Sequence, residues 1–407
     1  MSRVIKPAPS LRGEIRVPSD KSIGHRALMA AAIADGDSTV SLHRPGADLE
    51  STRRCLAALG TGHVLDCGNS GTTMRLLAGL LAGQGIAATL DGDASLRRRP
   101  MERIATPLRR MGAQIDTADG HAPLRVSAAP LDAVELSPQV ASAQVLGAIC
   151  LAALGAHGTT TVEMPGPTRD HTERLLGWLG VPIERDGLRT TVTGPARPRA
   201  FDFEVPGDPS SAAAWVVAAT LHPDADVRIV DVCLNPTRLA FVEVLRRMGA
   251  DIALEESADD GPEPVGSLRV RSVPRLEALE IAGDEVAALI DELPLLAIAM
   301  AAADGTSELR DAGELRVKES DRIAAVAEGL NGIGASVEER PTGWRVARGS
   351  AGDAEISTYG DHRIAIAFAV AALSGVAGEV RMDDAECASV SYPGFWEDLE
   401  ALAAVPA

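Results

Sequence analysis

The sequence predicts an α/β protein that repeats one supersecondary unit. Six segments share a pattern in which a polar start leads into a helix rich in Ala, Leu, Ile and Val, and a break then leads into a short β-like run. The segments begin at Asp20, Gly68, Ala141, Asp208, Ile290 and Gly360. Their mean period of roughly 68 residues is too long for a common solenoid, and their uneven spacing favours a closed arrangement.

A second helical pattern alternates with the first. The segments LAALGTGH, LRRMGAQI, LGWLGVPI, LRRMGADI and LNGIGASV each place Gly just beyond an amphipathic turn and then continue as a strand. Because glycine readily adopts the left-handed conformation that ends a helix, each of these glycines is predicted to be a C-cap. The C-terminal FWEDLEALAAV is predicted to be a sixth, degenerate copy.

The composition excludes several classes of protein. A chain of 407 residues is long enough for two or three domains with sizeable cores. Its net charge of −18 disfavours nonspecific binding to nucleic acid or to acidic membrane surfaces. The longest apolar run, residues 293–303, is too short to span a bilayer. Scattered cysteines without a CxxC motif, and a first segment without an apolar core, predict a reduced cytoplasmic protein without a zinc site.

The helices of the first pattern are apolar nearly all round, which predicts that they are buried, yet they begin with polar residues. Ordinary N-capping explains the Ser, Asp and Asn residues there without any ligand. It does not explain Lys21, Arg26, Arg75 and Arg363, which are expected in first turns, where the helix dipole disfavours cations. An anion-binding site at the helix starts, where unpaired N–H groups point outward, is therefore favoured.

Lysine is nearly absent from the chain. Of 39 basic residues only Lys6, Lys21 and Lys318 are lysine, and the bias of the source genome towards arginine explains the rest. Where lysine persists, the functional explanation is that the position requires a compact ammonium group with a titratable pKa. The alternative is that these lysines survived by chance. Lys6 is most simply a surface residue of the first strand, whereas the other two lie among many polar groups.

Ten segments, taken in order, resemble the family of 5-enolpyruvylshikimate-3-phosphate synthases over the whole chain. They are VPSDKSIGHRAL, GNSGTTMR, GDASLRRRPM, ASAQV, GPTRDHTERLL, VPGDPSSAA, LIDELPLLA, LRVKESDRI, YGDHRIAIA and SYPGFWEDL. The resemblance implies an α/β fold of two similar domains, each of three βαβαββ repeats around buried helices, in the inside-out barrel of the enolpyruvyl transferases. It places one domain at residues 20–208 and the other at residues 1–19 with 209–407. The active site would lie in the interdomain cleft, which would close on binding.

The resemblance also implies an activity. Members of the family transfer the enolpyruvyl group of phosphoenolpyruvate to the 5-hydroxyl of shikimate 3-phosphate and release phosphate, through a tetrahedral intermediate, in the shikimate pathway of aromatic amino-acid biosynthesis. The reaction needs no cofactor and no metal, and we expect a monomer without nucleic-acid or membrane partners. Glyphosate competes with phosphoenolpyruvate in this family, and Gly71 resembles the sensitive form.

Motif matches assign roles residue by residue. They assign shikimate 3-phosphate to Lys21, Ser22, Arg26, Ser142, Ala143, Gln144, Thr168, Asp291 and Lys318. They assign phosphoenolpyruvate to Lys21, Gly71, Arg99, Gln144, Arg322 and Arg363. Asp291 matches the base at the 5-hydroxyl, Glu319 matches the group that protonates the methylene carbon, and Lys21 is expected to share in proton transfer.

Each assignment has a structural alternative. A surface ion pair is the preferred interpretation of Arg97 and Arg98, and a surface or structural role is preferred for Glu173 and Arg174. Asp291 could also be the N-cap of the apolar helix that follows it. Lys318, Glu319 and Arg322 have the spacing of a charge network on a helix surface.

The chain departs from the family at several positions. Ala143 replaces a Ser of some members, which leaves a backbone contact, and Thr168 replaces a frequent Ser but keeps the hydroxyl. Val390 stands where one branch has Lys, so one phosphoenolpyruvate contact is absent or supplied elsewhere. Glu314 stands where some members have Asn, which leaves its contact with shikimate 3-phosphate open.

Two other functions are possible from the sequence. UDP-N-acetylglucosamine enolpyruvyl transferases share the fold and the donor, but they have Lys-Asn in place of Lys21-Ser22 and a reactive loop cysteine, whereas no cysteine lies between Cys67 and Cys150 here. A non-catalytic anion-binding scaffold would not need Asp291, Glu319 and Lys21 together. A P-loop kinase is disfavoured, because the GxxxxGK[ST] motif is absent from the sequence.

Overall fold

The computed structural model describes residues 2–257 and 260–403. The chain divides into two compact units. We call Ser19–Val205 with Asp260–Glu263 the Lys21 unit, and Met1–Pro18, Pro206–Asp259 and Pro264–Ala407 the Arg322 unit. The sequence predicts domains at residues 20–208 and at residues 1–19 with 209–407, and it gives no reason to assign residues 260–263 to the Lys21 unit.

Helices and strands alternate along the described residues. The α-helices are α1 (Lys21–Ile33), α2 (Ala47–Ala57), α3 (Gly71–Gln84), α4 (Glu102–Arg110), α5 (Ala143–Ala153), α6 (His171–Trp178), α7 (Pro209–Leu221), α8 (Ala240–Arg247), α9 (Asp284–Leu289), α10 (Leu293–Ala302), α11 (Arg322–Gly332), α12 (His362–Leu373) and α13 (Phe395–Ala403). Short 3₁₀ helices span Leu96–Arg98, Pro236–Arg238, Gly313–Val317 and Glu386–Val390.

The strands are β1 (Arg3–Ile5), β2 (Leu11–Arg16), β3 (Thr39–Ser41), β4 (Leu65–Asp66), β5 (Ala88–Asp91), β6 (Gln114–Ala118), β7 (His121–Ser127), β8 (Glu135–Leu136), β9 (Gly158–Glu163), β10 (Ile183–Asp186), β11 (Arg189–Gly194), β12 (Asp202–Glu204), β13 (Ala225–Cys233), β14 (Asp251–Glu256), β15 (Val265–Arg271), β16 (Glu280–Ile281), β17 (Thr306–Leu309), β18 (Ser336–Arg340), β19 (Gly343–Ala347), β20 (Ala354–Ile356) and β21 (Val380–Met382). Among the described residues, no helix is both long and apolar enough to cross a membrane.

The sheets show the repeat directly. The four-stranded sheets β4-β5-β7-β6, β8-β9-β11-β10, β2-β13-β15-β14 and β16-β17-β19-β18 share one topology. In each, the first strand pairs parallel with the second, the second pairs antiparallel with the fourth, and the third lies at the far edge. The Lys21 unit adds the small sheet β3-β12, and the Arg322 unit adds β1-β21-β20. The predicted α/β class and its βαβαββ repeat are confirmed.

The apolar helices are buried, as predicted. In the Lys21 unit, α3 and α5 pack closely against each other, and α1 contacts α3. In the Arg322 unit, α7, α10 and α12 contact one another. Each unit has its own hydrophobic cluster around these helices. Because their side chains are apolar on all sides, such helices are stable only when other elements surround them.

Left-handed glycines end the predicted helices, although each lies one or two residues beyond the C-cap itself, and the predicted first-turn placement of Arg26 and Arg75 is wrong. Gly60, Gly112, Gly180, Gly249 and Gly334 follow their helices with φ between 76° and 105°, a conformation in which a side chain would be strained. However, α1 begins at Lys21 and α3 at Gly71. Arg26 and Arg75 therefore lie in second turns, and only Lys21 and Arg363 occupy first turns. The last copy of the pattern ends in α13, and residues 404–407 lie outside the described residues.

Candidate active site

Arg26 connects the starts of three helices in the Lys21 unit. Its Nε donates to Thr172 Oγ1 at 2.6 Å, its Nη1 to the Ser22 carbonyl at 2.8 Å and its Nη2 to the Ala143 carbonyl at 3.0 Å. These partners belong to α6, α1 and α5. The Arg26 guanidinium is thus held by one hydroxyl and two carbonyl groups, one of them the backbone carbonyl of Ala143.

Lys21 is the first residue of α1, which Asp20 caps by accepting from the Ile23 N–H at 3.0 Å. The Lys21 ammonium lies 3.1 Å from Asp48 Oδ2, at the start of α2. The lysine side chain is 38% exposed, so solvent still reaches the ammonium. An approaching anion would compete with Asp48 for this charge.

The start of α3 lies beside two guanidinium groups. A Cβ at Gly71 would lie 3.1 Å from Arg75 Nη1 and 3.3 Å from Arg99 Nη1. Neutral amides hold both arginines, since Arg75 Nη1 donates to Gln144 Oε1 at 2.6 Å and Arg99 Nη2 donates to Asn69 Oδ1 at 2.9 Å. Within the described residues, the buried Nε of Arg75 has no hydrogen-bond partner.

The electrostatics at the start of α3 favour an anion. Burial is the main cause that lowers the pKa of Arg75 to about 10, and the charges of Arg103 and Arg99 lower it further. A bound anion would relieve the repulsion between Arg75 and Arg99 and would reverse this pKa shift. Gln144 also donates from Nε2 to Thr72 Oγ1 at 2.8 Å, so it joins the starts of α3 and α5.

Thr168 lies just before α6, and its buried hydroxyl has no partner among the residues described. Its carbonyl accepts from Arg185 Nη2 at 3.2 Å, and Arg185 Nη1 pairs with Glu173 Oε1 at 2.9 Å.

Glu173 is buried, so the structural interpretation of this residue holds and the surface one does not. Arg174 forms an ion pair with Asp170 at 2.8 Å. Ser142 caps α5 by accepting from the Val145 N–H at 3.4 Å.

Arg322 is the central cation of the candidate site in the Arg322 unit. Its side chain is 2% exposed, and its Nε donates to Asp361 Oδ2 at 2.8 Å while Nη2 donates to Glu319 Oε2 at 2.8 Å. Burial alone would lower the pKa of Arg322, but the charges of Asp361, Glu319 and Asp291 raise it above its ordinary value. A helix-surface network is therefore the wrong interpretation of Arg322.

Asp361 also organises the start of α12. It caps the helix by accepting from the Arg363 N–H at 2.8 Å, and it accepts from Ser320 Oγ at 2.9 Å. Arg363 Nη1 lies 3.5 Å from the Ser210 carbonyl at the start of α7. One carboxylate thus fixes Arg322 and the backbone of Arg363, two residues that the motifs assign to phosphoenolpyruvate.

The acid and base candidates lie near these cations. Lys318 follows a 3₁₀ helix, and its Nζ lies 2.6 Å from Glu314 Oε1, so Glu314 holds the lysine whether or not it meets a substrate. Asp291 precedes α10, whose N-cap is Glu292, and the N-cap interpretation of Asp291 is therefore wrong. Its charge acts on Arg322.

The two units divide the assigned residues. The Lys21 unit contains Lys21, Ser22, Arg26, Gly71, Arg99, Ser142, Ala143, Gln144 and Thr168. The Arg322 unit contains Asp291, Lys318, Glu319, Arg322 and Arg363. Sequence reasoning assigned no ligand to Arg75, Asn69, Thr72 or Asp361, although all four lie within the quoted motifs. Arg97 pairs with Asp91 at 2.5 Å on the surface, as expected.

Comparison with solved structures defines the class of protein. NikO, an enolpyruvyl transferase from Streptomyces tendae, matches with a TM-score of 0.74 and covers 98% of this chain and 96% of its own, at 19% identity. An EPSP synthase from Acinetobacter baumannii matches with a TM-score of 0.89, at 36% identity and 98% coverage of both chains. The fold is that of the enolpyruvyl transferases.

Sequence comparison identifies the family. The family model for EPSP synthase (3-phosphoshikimate 1-carboxyvinyltransferase) matches residues 5–63 and 61–399. The 3-phosphoshikimate 1-carboxyvinyltransferase of Gloeobacter violaceus is 47% identical over 97% of each chain, and that of Salinibacter ruber is 44% identical over 98% of this chain and 99% of its own. The chain belongs to the EPSP synthase family.

The enzymatic activity predicted from the motifs is confirmed. The chain has 3-phosphoshikimate 1-carboxyvinyltransferase activity in the shikimate pathway, and shikimate 3-phosphate and phosphoenolpyruvate are the substrates of its family. The relatives do not favour the UDP-N-acetylglucosamine enolpyruvyl transferase alternative.

Proposed function

We propose that Arg75 and Arg99, together with the backbone at Gly71, bind phosphoenolpyruvate at the start of α3. The observation that carries this proposal is the convergence of two guanidinium groups on a glycine, with Nη contacts at 3.1 and 3.3 Å from the position of a Cβ. Both arginines donate to neutral amides rather than to carboxylates. Phosphoenolpyruvate carries a phosphate and a carboxylate on three carbons, and bidentate guanidinium contacts suit both groups.

Shikimate 3-phosphate is the proposed ligand of Lys21, Ser22 and Arg26 at α1, and of Ser142, Ala143, Gln144 and Thr168. The buried Thr168 hydroxyl, which lacks a partner among the described residues, supports a polar ligand there. Lys318 and Asp291 are proposed to complete the acceptor contacts, and Arg322 and Arg363 those of the donor. Proton transfer is the proposed role of Lys21, Asp291 and Glu319. The reaction therefore needs residues of both units.

The proposed chemistry is an addition followed by an elimination. Asp291 removes the proton of the 5-hydroxyl, whose oxygen bonds to C2 of phosphoenolpyruvate, while the methylene carbon gains a proton from Glu319. In the second step that carbon returns its proton to Glu319, the bond from C2 to the phosphate oxygen breaks, and Asp291 gives the proton it took from the hydroxyl to the departing phosphate. Each acid or base contributes about 10²–10⁴-fold to the rate. Arg322 Nη2 donates to Glu319 Oε2 at 2.8 Å, which fixes the position of this carboxyl group.

We further propose that the enzyme works as a monomer in the cytoplasm. Its buried thiols suit a reducing compartment.

Phosphate release tests the proposed function. The purified chain is incubated with phosphoenolpyruvate and either shikimate 3-phosphate or UDP-N-acetylglucosamine, and inorganic phosphate is measured. We expect release with shikimate 3-phosphate only. Release with the nucleotide sugar alone would overturn the proposal, and release with neither acceptor would leave the anion-binding scaffold as the better description.

A further inference from the structure

A chain of buried side-chain hydrogen bonds joins α1, α2 and the start of α3. His25 Nδ1 lies 2.7 Å from Thr52 Oγ1, and Thr52 Oγ1 lies 2.7 Å from Thr73 Oγ1. Thr73 Oγ1 donates to Ser70 Oγ at 2.7 Å, and Ser70 Oγ also accepts from the Thr73 N–H at 3.2 Å. We call these four residues the hydroxyl chain. None of the family motifs assigns a role to it.

The hydroxyl chain is shielded from water. His25, Thr52 and Thr73 are fully buried, and Ser70 is 1% exposed. Hydrogen bonds in such an environment are strong, and an unmade one leaves a buried polar atom without a partner. Small displacements of these helices are therefore opposed more strongly than apolar contacts alone would oppose them.

The bonds share one direction. Because the single proton of the Thr73 hydroxyl is directed to Ser70 Oγ at 2.7 Å or to the Asp48 carbonyl at 3.3 Å, the Thr52 hydroxyl donates to Thr73, and Thr52 in turn accepts from His25 Nδ1. His25 then carries its proton on Nδ1, and its Nε2, which has no partner in the described part of the chain, remains an unprotonated acceptor. A neutral imidazole satisfies this order, whereas a protonated one would bury an unpaired N–H.

The hydroxyl chain ends immediately before the donor-binding residues. Ser70 is the N-cap of α3, and Gly71 is its first residue. On the other side of the same helical turn, Thr72 accepts from Gln144 Nε2, and the guanidinium groups of Arg75 and Arg99 lie against Gly71. The first turn of α3 is therefore fixed from the buried side by hydroxyls and from the open side by an amide and two arginines.

We propose that the hydroxyl chain positions the first turn of α3, and with it the phosphoenolpyruvate site, relative to α1. The proposal rests on the proposed function of Gly71 and its neighbours. Thr52 is the central member, because it bonds to His25 on one side and to Thr73 on the other. It touches no assigned substrate residue through these bonds and acts as a positioning residue. A misplacement of about 1 Å can cost on the order of 10²-fold in rate.

Replacement of Thr52 by valine tests the proposal, because valine keeps the shape and removes the hydroxyl. We expect Thr52→Val to raise KM for phosphoenolpyruvate roughly tenfold and to change KM for shikimate 3-phosphate by less than about twofold. Thr52→Ser restores the hydroxyl and should return KM for phosphoenolpyruvate close to the wild-type value. Thr160→Val is the matched control, since the Thr160 hydroxyl is equally buried in the same unit but has no partner there among the described residues.

Three outcomes would overturn the proposal. They are an unchanged KM for phosphoenolpyruvate in folded Thr52→Val, an equal rise in both KM values, and a failure of Thr52→Ser to restore the wild-type value. If Thr52→Val does not fold, Thr73→Val and Thr73→Ser make the same comparison at the next member of the chain. Failure of the proposed phosphoenolpyruvate site is distinguishable, because Arg99→Gln would then leave KM for phosphoenolpyruvate unchanged.

Discussion

The site cations are held in two different ways. Arg26, Arg75 and Arg99 donate to carbonyls, hydroxyls and amides rather than to carboxylates. Lys21 and Arg322 instead lie against carboxylates, at 3.1 and 2.8 Å. The first kind can bind an anion without breaking an ion pair, whereas the second kind is fixed in place by its partner. The arginines without carboxylate partners therefore supply affinity for anions, whereas Lys21 and Arg322 fix the geometry of the site.

Exchange of Lys21 for arginine tests whether this position needs an ammonium. A guanidinium keeps the charge but is planar, larger and unable to share in proton transfer. We expect Lys21→Arg to fold and to lose at least about 10²-fold in kcat, measured by phosphate release. Lys6→Arg is the control, because Lys6 is 72% exposed and pairs with Glu379 at 3.3 Å. Near-normal turnover of Lys21→Arg would mean that the rarity of lysine reflects genome bias.

His25 should make folding stability depend on pH. Burial is the main cause that lowers its pKa from 6.5 to about 4, with Lys21 and Arg26 lowering it and Asp48 and Asp20 opposing. Between these values the unfolded chain binds a proton that the folded chain does not, so stability rises with pH across this window and is lost as pH falls from 6.5 to 4. The shift corresponds to about 3 kcal/mol.

Urea unfolding at pH 7 and at pH 4.5 measures this effect. Asparagine can still donate to Thr52 but does not titrate, so His25→Asn should lose less of its free energy of unfolding on acidification than the wild type does. His63→Asn, at an exposed histidine, should behave like the wild type. Equal losses in His25→Asn and the wild type would show that His25 does not titrate between the folded and unfolded states as expected.

Local sequence patterns reveal single site residues but not their partners. Lys21, Gly71 and Arg99 lie in dense motifs; in the structure a carboxylate holds Lys21, two guanidinium groups lie beside Gly71, and an amide holds Arg99. Asp361 is 39 positions from Arg322, and Thr52 is 21 positions from Thr73. Such pairs form only when distant helices pack together, and no short spacing in the sequence indicates that packing. The spacing of Ser70 and Thr73 was a local signal, because it is that of an N-cap.

Close packing of α3 on α5 is the main feature at the scale of elements. A Cβ at Gly79 would lie 2.1 Å from the Ala148 carbonyl oxygen, and one at Gly83 would lie 2.5 Å from that of Leu151. Glycine therefore lets the two backbones meet directly. This approach fixes the distance between Arg75 on α3 and Gln144 on α5, whose side chains are bonded at 2.6 Å. The glycine-based helix ends were predictable from sequence because they are local, whereas this contact joins distant segments.

Replacement of Gly79 by alanine should force α3 away from α5. Overpacking of this kind costs roughly 1–3 kcal/mol, measured by urea unfolding, and we also expect weaker binding of phosphoenolpyruvate because the bond between Arg75 and Gln144 is stretched. Gly177→Ala is the matched control in α6, where the new Cβ would meet Ile183 Cγ2 at an ordinary 3.5 Å. It should be neutral or stabilising by up to about 1 kcal/mol. Equal stability of the two variants would contradict the close approach.

Residues 2–257 and 260–403 form two hydrophobic cores built from the same repeat. One surrounds α7, α10 and α12, and the other surrounds α3 and α5. Each unit has two four-stranded sheets and one smaller sheet. The repeat, its helices and their burial were predictable from the hydrophobic pattern. The inclusion of residues 260–263 in the Lys21 unit was not predictable, because it depends on a buried contact of 2.7 Å between Glu263 and the distant His171.

Two separate cores should give two separable unfolding transitions. Leu146 in α5 and Leu296 in α10 are each 1% exposed and belong to different cores. Replacement of a buried leucine by alanine costs about 2–5 kcal/mol, which for units of this size lowers a transition by roughly 5–15 °C. In differential scanning calorimetry, Leu146→Ala should lower one transition and Leu296→Ala the other, and the double variant should show both shifts. If either variant instead lowers a single common transition by the same amount, the two cores unfold as one cooperative structure, and the stability of each site then depends on both.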